Sequence, residues 1–292
     1  MKKLRGTGVA IVTPFKNDFS IDFSAMGRVV NHVINGGVNY IVVLGTTGES
    51  VTLTKDEKKA VICHIKEVIN NRVPLVVGIG GNNTQEIINQ VRNADLSGVD
   101  AILSVSPYYN KPNQRGIFQH FKAISTSSPV PVIIYNVPGR TGSNITSETC
   151  LQLAHECENI AGIKEASGNM EQIMKIIKEK PENFLVISGN DMDILPVCAI
   201  GGAGVISVLA NAFPSETSEI TNLSLKQNFR SARELNFKFM EMIELCFIDG
   251  SPAGVKAMLN LMNLCSNSLR LPLVPVSKTV YTRIQKAIEE LK

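Results

Sequence analysis

The chain has 292 residues, 44% of them apolar, and a formal net charge of +3 with its lysines and arginines spread among acids. This composition suits one large folded unit, or one with a small appendage, and excludes a disordered chain. There is no basic stripe for nucleic acid or an anionic membrane surface, which leaves a small neutral or anionic molecule as the ligand to look for.

The opening residues, Met1 to Gly6, are basic, but the apolar stretch after them breaks at Pro14, too early for a secretory signal. No apolar run reaches the roughly 18 residues of a membrane-spanning helix. Six cysteines, Cys63, Cys150, Cys157, Cys198, Cys246 and Cys265, stand far apart with no C-x-x-C pair, as reduced core thiols do. We expect a soluble cytoplasmic protein.

Short Val- and Ile-rich runs recur at 9–13, 40–44, 75–79, 101–105, 132–135, 161–164, 185–188 and 205–209, with helical patterns between them. Their spacing is close to the roughly 30 residues of one βα unit. Eight such units predict a (β/α)₈ barrel, with a doubly wound sheet as the alternative. Thr54-Lys55-Asp56-Glu57 reads as a capping box opening a helix whose apolar face holds Ala60, Val61, Ile65, Val68 and Ile69. Asn83-Thr84-Gln85-Glu86 reads the same way for the helix of Ile87, Ile88 and Val91, and Thr146 or Ser147 caps the helix through Leu151, Leu153 and Ala154. From about Pro214 the chain reads helical to its end, with breaks near 250–252 and 271–273. The expected organisation is a barrel over 1–224 and a C-terminal helical subdomain over 225–292.

In such a barrel the chemistry gathers at the carboxyl ends of the strands. The residues following the runs include Thr13, Gly45-Thr46-Thr47-Gly48-Glu49-Ser50, Gly78-Ile79-Gly80-Gly81-Asn82, Ser106-Pro107-Tyr108-Tyr109-Asn110, Tyr135-Asn136-Val137-Pro138-Gly139-Arg140-Thr141, Lys164, Ser188-Gly189-Asn190-Asp191 and Ile206-Ser207. Lys164 ends an apolar strand, where loss of hydration favours a neutral amine, the nucleophile of Schiff-base chemistry. A strand-end lysine also serves merely to reach solvent, so its neighbours must decide. Gly45-Thr46-Thr47-Gly48 offers hydroxyls and amides to a small carboxylate. Tyr135 could shuttle protons, or be a core phenol with a satisfied hydroxyl. Arg140 could clamp a second carboxylate, or solvate its loop, while Tyr108 and Tyr109 suggest an interface or a pocket wall.

Other chemistries fit poorly. Gly78-Ile79-Gly80-Gly81-Asn82-Asn83 lacks the third glycine of a dinucleotide fingerprint, and no phosphate-loop motif is present. The glycines of Gly201-Gly202-Ala203-Gly204 precede the eighth strand, at the wrong end of the barrel for phosphate. His32, His64, His120 and His155 fall in helical stretches without metal-ligand spacing.

Taken together, the motifs from Gly45 to Ser50, Ser106 to Asn110, Tyr135 to Thr141, Gly162 to Ser167 and Ser188 to Asp191 resemble the dihydrodipicolinate synthase (4-hydroxy-tetrahydrodipicolinate synthase) family, among the pyruvate-dependent class I aldolases. The resemblance runs from Gly8 to near the C-terminus. It implies an aldolase-type lyase in which Lys164 condenses with pyruvate, and the enamine attacks L-aspartate 4-semialdehyde in the first committed step of diaminopimelate and lysine biosynthesis. It further implies that Thr46 and Thr47 hold the pyruvate carboxylate and join Tyr135 and Tyr109 in a proton relay. Arg140 would take the aldehyde's carboxylate, and backbone groups of Gly189 and Ile206 would line the pyruvate end. No metal or organic cofactor is implied. Related pyruvate lyases, such as N-acetylneuraminate lyase or keto-deoxy sugar acid aldolases, share the lysine, the tyrosine and the glycine-threonine turn, and they are the alternative; the Tyr108-Tyr109 pair and the Val-Pro-Gly-Arg-Thr turn favour the synthase.

Members of the family usually form a dimer of tight dimers, which implies a homotetramer in which Tyr109 reaches a neighbour's site. In lysine-sensitive members a site at the dimer interface binds L-lysine, and Ser50, Asn82, Glu86 and Tyr108 match it here. Lys55 and Lys58 stand where those enzymes carry imidazole or carboxylate groups.

Overall fold

A computed structural model describes residues 2–291; Met1 and Lys292, the outermost residues of the two expected segments, lie outside them. Eight strands, β1 (Gly6–Ala10), β2 (Tyr40–Val43), β3 (Leu75–Gly78), β4 (Ala101–Val105), β5 (Val132–Asn136), β6 (Ile160–Glu165), β7 (Leu185–Ser188) and β8 (Gly204–Ser207), each pair in parallel with the next. β8 returns to β1 and closes the barrel. The helices are α1 (Phe23–Asn35), α2 (Lys55–Ile69), α3 (Thr84–Asn93), α4 (Gln114–Ser127), α5 (Pro138–Thr141), α6 (Ser147–Glu156), α7 (Met170–Glu179), α8 (Ile194–Ala199) and α9 (Pro214–Leu225). Beyond them come α10 (Phe229–Leu245), α11 (Ala253–Leu261) and α12 (Lys278–Leu291). The barrel expected from the eight apolar runs is the one found.

The strands read as continuous apolar runs because both of their faces are covered. Ala10, Tyr40, Val42, Leu103, Ile133, Tyr135, Ile187 and Ile206 form an inner cluster that fills the barrel. The alternate residues Val9, Ile41, Ile102, Ile134, Ile163 and Val186 pack outward against the helices. That larger core also takes in Leu245, Cys246, Val255 and Leu259, so the C-terminal helices share the interior of the barrel's outer layer.

The first strand begins earlier than the run at 9–13 suggests, at Gly6, and ends at Ala10. Hydropathy cannot show this start, because Gly6 and Gly8 are there to leave room: a Cβ on Gly8 would lie 2.2 Å from the Tyr40 ring. Gly204 does the same at the closing seam. Its φ of +131° is open to glycine alone, and a Cβ there would meet the Gly6 carbonyl oxygen at 2.0 Å. At the other end of the eighth run, β8 stops at Ser207 and 209–211 turn as a 3₁₀ helix.

The Thr54/Glu57 capping box forms in full. Ala60, however, is exposed and Val68 half-buried, so the buried face of α2 is the narrower Val61, Ile65, Ile69 stripe. The Asn83 box forms by half: Asn83 accepts from the Gln85 and Glu86 amides, while the Glu86 carboxylate accepts from Gln90 instead. Thr146 caps α6. Of the six cysteines five are buried; Cys63 is exposed on α2, outside the core expected for it. Among the described residues, no helix is long and apolar enough to cross a membrane.

Candidate active site

Lys164 on β6 pairs in register with Tyr135 on β5. Its chain neighbour Ile163 faces the helices, so strand alternation turns Lys164 into the barrel, where it is 5% exposed. The ammonium lies 4.4 Å from the centroid of the Tyr135 ring. Such a contact contributes on the order of 1 kcal/mol and fixes the direction of a long arm.

The residues that follow each of this pair point the other way and lock the two strands together. Glu165, 2% exposed, accepts from Asn136 Nδ2 at 3.0 and 3.2 Å, from Gln172 Nε2 at 2.9 Å and from the Ser167 amide at 2.7 Å. Asn144 joins the web, its Oδ1 accepting from Asn136 at 2.8 Å and its Nδ2 donating to Gln172 at 2.8 Å. A buried carboxylate without a cation persists only when donors saturate it. Here they do, and the web fixes the ends of β5 and β6 on which Tyr135 and Lys164 stand.

Gly189, after β7, lies against the lysine arm: a Cβ there would stand 3.0 Å from Lys164 Cε. Its amide donates to the Glu165 carbonyl at 2.7 Å. Two residues on, Asp191 is 1% exposed and accepts from the Ser207 hydroxyl and the Val208 and Leu209 amides. Burial pushes the Asp191 carboxyl above its ordinary range, against the pull of these donors. The contacts tie the exit of β7 to that of β8, where fully buried Ile206 precedes Ser207.

After β2 the chain makes a 3₁₀ turn over Thr46–Gly48. Thr47 is buried at 3% exposure, whereas Thr46 is exposed at the mouth. The Thr13 hydroxyl donates to the Gly48 carbonyl at 2.7 Å. Leu44 and Glu49 bracket the turn with φ of +58° and +51°, each a strain of about 1–2 kcal/mol for a residue with a side chain. Such strain collects where a backbone must be held in one unusual shape.

Arg140 sits on the short α5 and is exposed. Tyr109 stands apart from the buried pair: it is 90% exposed, on a backbone with φ of +71°. Asn82 Nδ2 donates to the Tyr108 carbonyl at 3.1 Å and the Asn82 carbonyl accepts from Asn110, so these two loops are tied to each other. Ser50 is half-buried, Glu86 and Lys55 are exposed, and Lys58 is half-buried on α2.

Within the chain, then, Lys164, Tyr135, Gly189 and Ile206 share the barrel interior; Thr46 and Thr47 on the turn after β2, and Arg140 on α5 after β5, follow the carboxyl ends of their strands. An amine held over a phenol ring, with a hydroxyl-bearing turn and an arginine after the neighbouring strand, can form and protonate an imine of a small keto acid. Within the Gly45–Ser50 motif, Glu49 has a role that is not legible from its residue type. It is 1% exposed and bound to Lys256 of α11, itself fully buried. A signal existed, because Lys256 is the one charge in the apolar stretch 253–259 and had to find a buried partner.

Residues 3–291 match the model of the dihydrodipicolinate synthetase family. A 4-hydroxy-tetrahydrodipicolinate synthase of Flavobacterium psychrophilum is 51% identical over 291 residues, covering 100% of this chain and 99% of its own. The solved dihydrodipicolinate synthase of Aquifex aeolicus has a TM-score of 0.95 at 38% identity, over 99% of this chain and 98% of that one. A chloride-inhibited dihydrodipicolinate synthase from Acinetobacter baumannii, solved with pyruvate, gives 0.95 at 38% identity over 98% of both chains.

Proposed function

The chain belongs to the dihydrodipicolinate synthetase family, and on that premise we propose that it condenses pyruvate with L-aspartate 4-semialdehyde to 4-hydroxy-tetrahydrodipicolinate through an imine on Lys164. The observation that carries this reading is the buried Lys164 ammonium 4.4 Å from the centre of the Tyr135 ring. In its neutral form the amine attacks the keto carbon of pyruvate, and loss of water from the carbinolamine leaves a protonated imine. That cation is the electron sink: a methyl proton departs to a base and the enamine forms with no other electrophile. The enamine carbon bonds to the aldehyde carbon, whose oxygen takes up a proton. The product's own amine then displaces Lys164 as the ring closes, returning the enzyme.

Each proton needs a carrier, and the Tyr135 phenol stands at the amine, with Thr46 and Thr47 completing a relay. The Thr46–Gly48 turn receives the pyruvate carboxylate, backbone groups of Gly189 and Ile206 line its other end, and Arg140 takes the carboxylate of the aldehyde. Tyr109 completes the relay from a neighbouring subunit of a homotetramer built as a dimer of tight dimers. Its 90% exposure and left-handed backbone support this, since an aromatic residue held at that strain in open solvent needs a partner to justify it. Six unpaired cysteines support a reducing, cytoplasmic setting.

Borohydride reduction in the presence of pyruvate, followed by peptide mass spectrometry, tests the central claim, with a label on the Lys164 peptide expected. A label on another lysine, or full activity in Lys164→Ala, overturns it. With pyruvate held constant, an aldehyde panel separates the synthase from a sugar-acid lyase. For the oligomer, mixing Tyr109→Phe with Lys164→Ala should restore some activity when subunits exchange, because a hybrid dimer rebuilds one site; an active monomer in sedimentation would end that part.

A further inference from the structure

Glu49 ends the Thr46–Gly48 turn and is gripped from a part of the chain 207 residues away. Its Oε1 pairs with Lys256 Nζ at 2.5 Å, and its Oε2 accepts from the Arg270 backbone amide at 3.1 Å. Neither side chain of the pair is reached by solvent. Lys256 also donates to the Ser268 carbonyl at 2.9 Å and lies 4.3 Å from the centre of the Phe15 ring. Arg270 lies 4.6 Å from that same ring centre and donates to Glu57 Oε2 at 2.8 Å and to the Thr52 carbonyl at 3.0 Å. Thr52 in turn donates its hydroxyl to the Glu49 carbonyl at 2.9 Å.

A buried ion pair is poor value as a source of stability, because the desolvation of both charges offsets most of their attraction and an apolar pair would serve as well. What it adds is one fixed geometry. Here that geometry is imposed on a residue with φ of +51°, next to the turn that presents Thr46 and Thr47. From the barrel side Thr13 holds the Gly48 carbonyl at 2.7 Å, so the turn is clamped on both flanks while exposed Thr46 stays free at the mouth.

We infer that Glu49, held by Lys256 and the Arg270 amide, is a positioning residue for the keto-acid carboxylate, so that the segment 253–270 sets the affinity for pyruvate. The inference rests on the function proposed above. It assigns the C-terminal helices a part in the reaction that no contact with substrate requires.

The test is the full-length double variant Glu49→Gln/Lys256→Met, which removes both charges together and strands neither in the interior. Steady-state kinetics should give a pyruvate KM raised about tenfold, the aldehyde KM unchanged and kcat held within about threefold, the pattern of a displaced binding turn. At saturating pyruvate, borohydride should still label Lys164. A folded double variant with an unaltered pyruvate KM overturns the inference, and so does an equal rise in both KM values with a lowered melting temperature. Thr52→Val covers the case in which the double variant does not fold. It removes one hydroxyl clamp on Glu49 and should raise the pyruvate KM about threefold with the aldehyde KM unmoved; no change there overturns the inference equally. Wild-type protein that pyruvate and borohydride fail to label would instead refute the proposed function, so the two failures are told apart.

Discussion

A Cβ placed on Gly189 would stand 3.0 Å from Cε of Lys164, so the glycine is what leaves the reactive arm its path along the barrel wall. The same atom would lie 2.7 Å from Cβ of Ala166, closer than real packing allows. Gly189→Ala must therefore push either the lysine or Ala166, the residue just past β6. We expect the protein to fold with a loss of about 1–3 kcal/mol from overpacking. Activity should fall much further, about 10²-fold, because a reacting atom displaced by about 1 Å loses its line of attack. Melting temperature and kcat measured on the same preparation check this, and a variant with unaltered kcat would show that the arm has slack.

Tyr135 is 7% exposed and its ring supports the Lys164 ammonium, so Tyr135→Phe keeps the packing and deletes only the hydroxyl. A general acid or base contributes typically 10² to 10⁴ in rate, and we expect a loss of about that size in kcat with little change in melting temperature. Borohydride trapping should slow in parallel, since imine formation itself moves protons. Unchanged trapping with slowed turnover would confine the phenol to the later steps.

The sequence revealed those parts of the site whose residue type contrasts with its surroundings. Lys164 and Tyr135 are polar ends on apolar strands, so alternation and strand order suffice to bring them together. The clamp on Glu49 was hidden because its partners, Lys256 and Arg270, come from the far end of the chain, and periodicity carries no information on which distant helix covers which turn. The Asn136, Glu165, Asn144 and Gln172 web was hidden for a related reason: each of the four side chains looks ordinary in its own stretch of chain until the fold brings them together. The start of β1 was hidden because glycines that make room for Asn39 and Tyr40 add nothing to hydropathy.

Acid should destabilise the protein in two separable windows. Burial holds the His120 imidazole down at about 4, with its Nδ1 on the Thr84 hydroxyl at 2.8 Å. The unfolded chain takes its proton near 6.5, so between about 6.5 and 4 unfolding binds a proton that the fold refuses. Stability is full above that window and falls through it, by about 3 kcal/mol at most. The Arg270 guanidinium holds the Glu57 carboxyl at about 2, against 4.5 in the free group. Its contribution is present above about 4.5 and lost toward 2. Melting temperature followed from pH 7 downward should drop in both windows, and His120→Gln should flatten only the upper one. Parallel curves for the variant and wild type would show that His120 is not the sensor.

Feedback by L-lysine turns on the charges around the site that the family resemblance places at the dimer interface. Ser50, Asn82, Glu86 and Tyr108 are present, and the bond from Asn82 to the Tyr108 carbonyl keeps two of them in one unit. Lys55 and Lys58 lie one turn apart on the first two turns of α2, where two further ammonium groups would face the ligand's own. At about 5–6 Å in a well-screened setting each repulsion amounts to roughly 1 kcal/mol. Affinity falls about tenfold for every 1.4 kcal/mol. We therefore expect the enzyme to be insensitive or only weakly sensitive to L-lysine, and Lys58→Glu to raise its affinity by turning one repulsion into an attraction. Titration of the initial rate against L-lysine decides it: half-inhibition at submillimolar lysine would mean that the four retained residues suffice and that the two ammonium groups turn away from the bound amino acid.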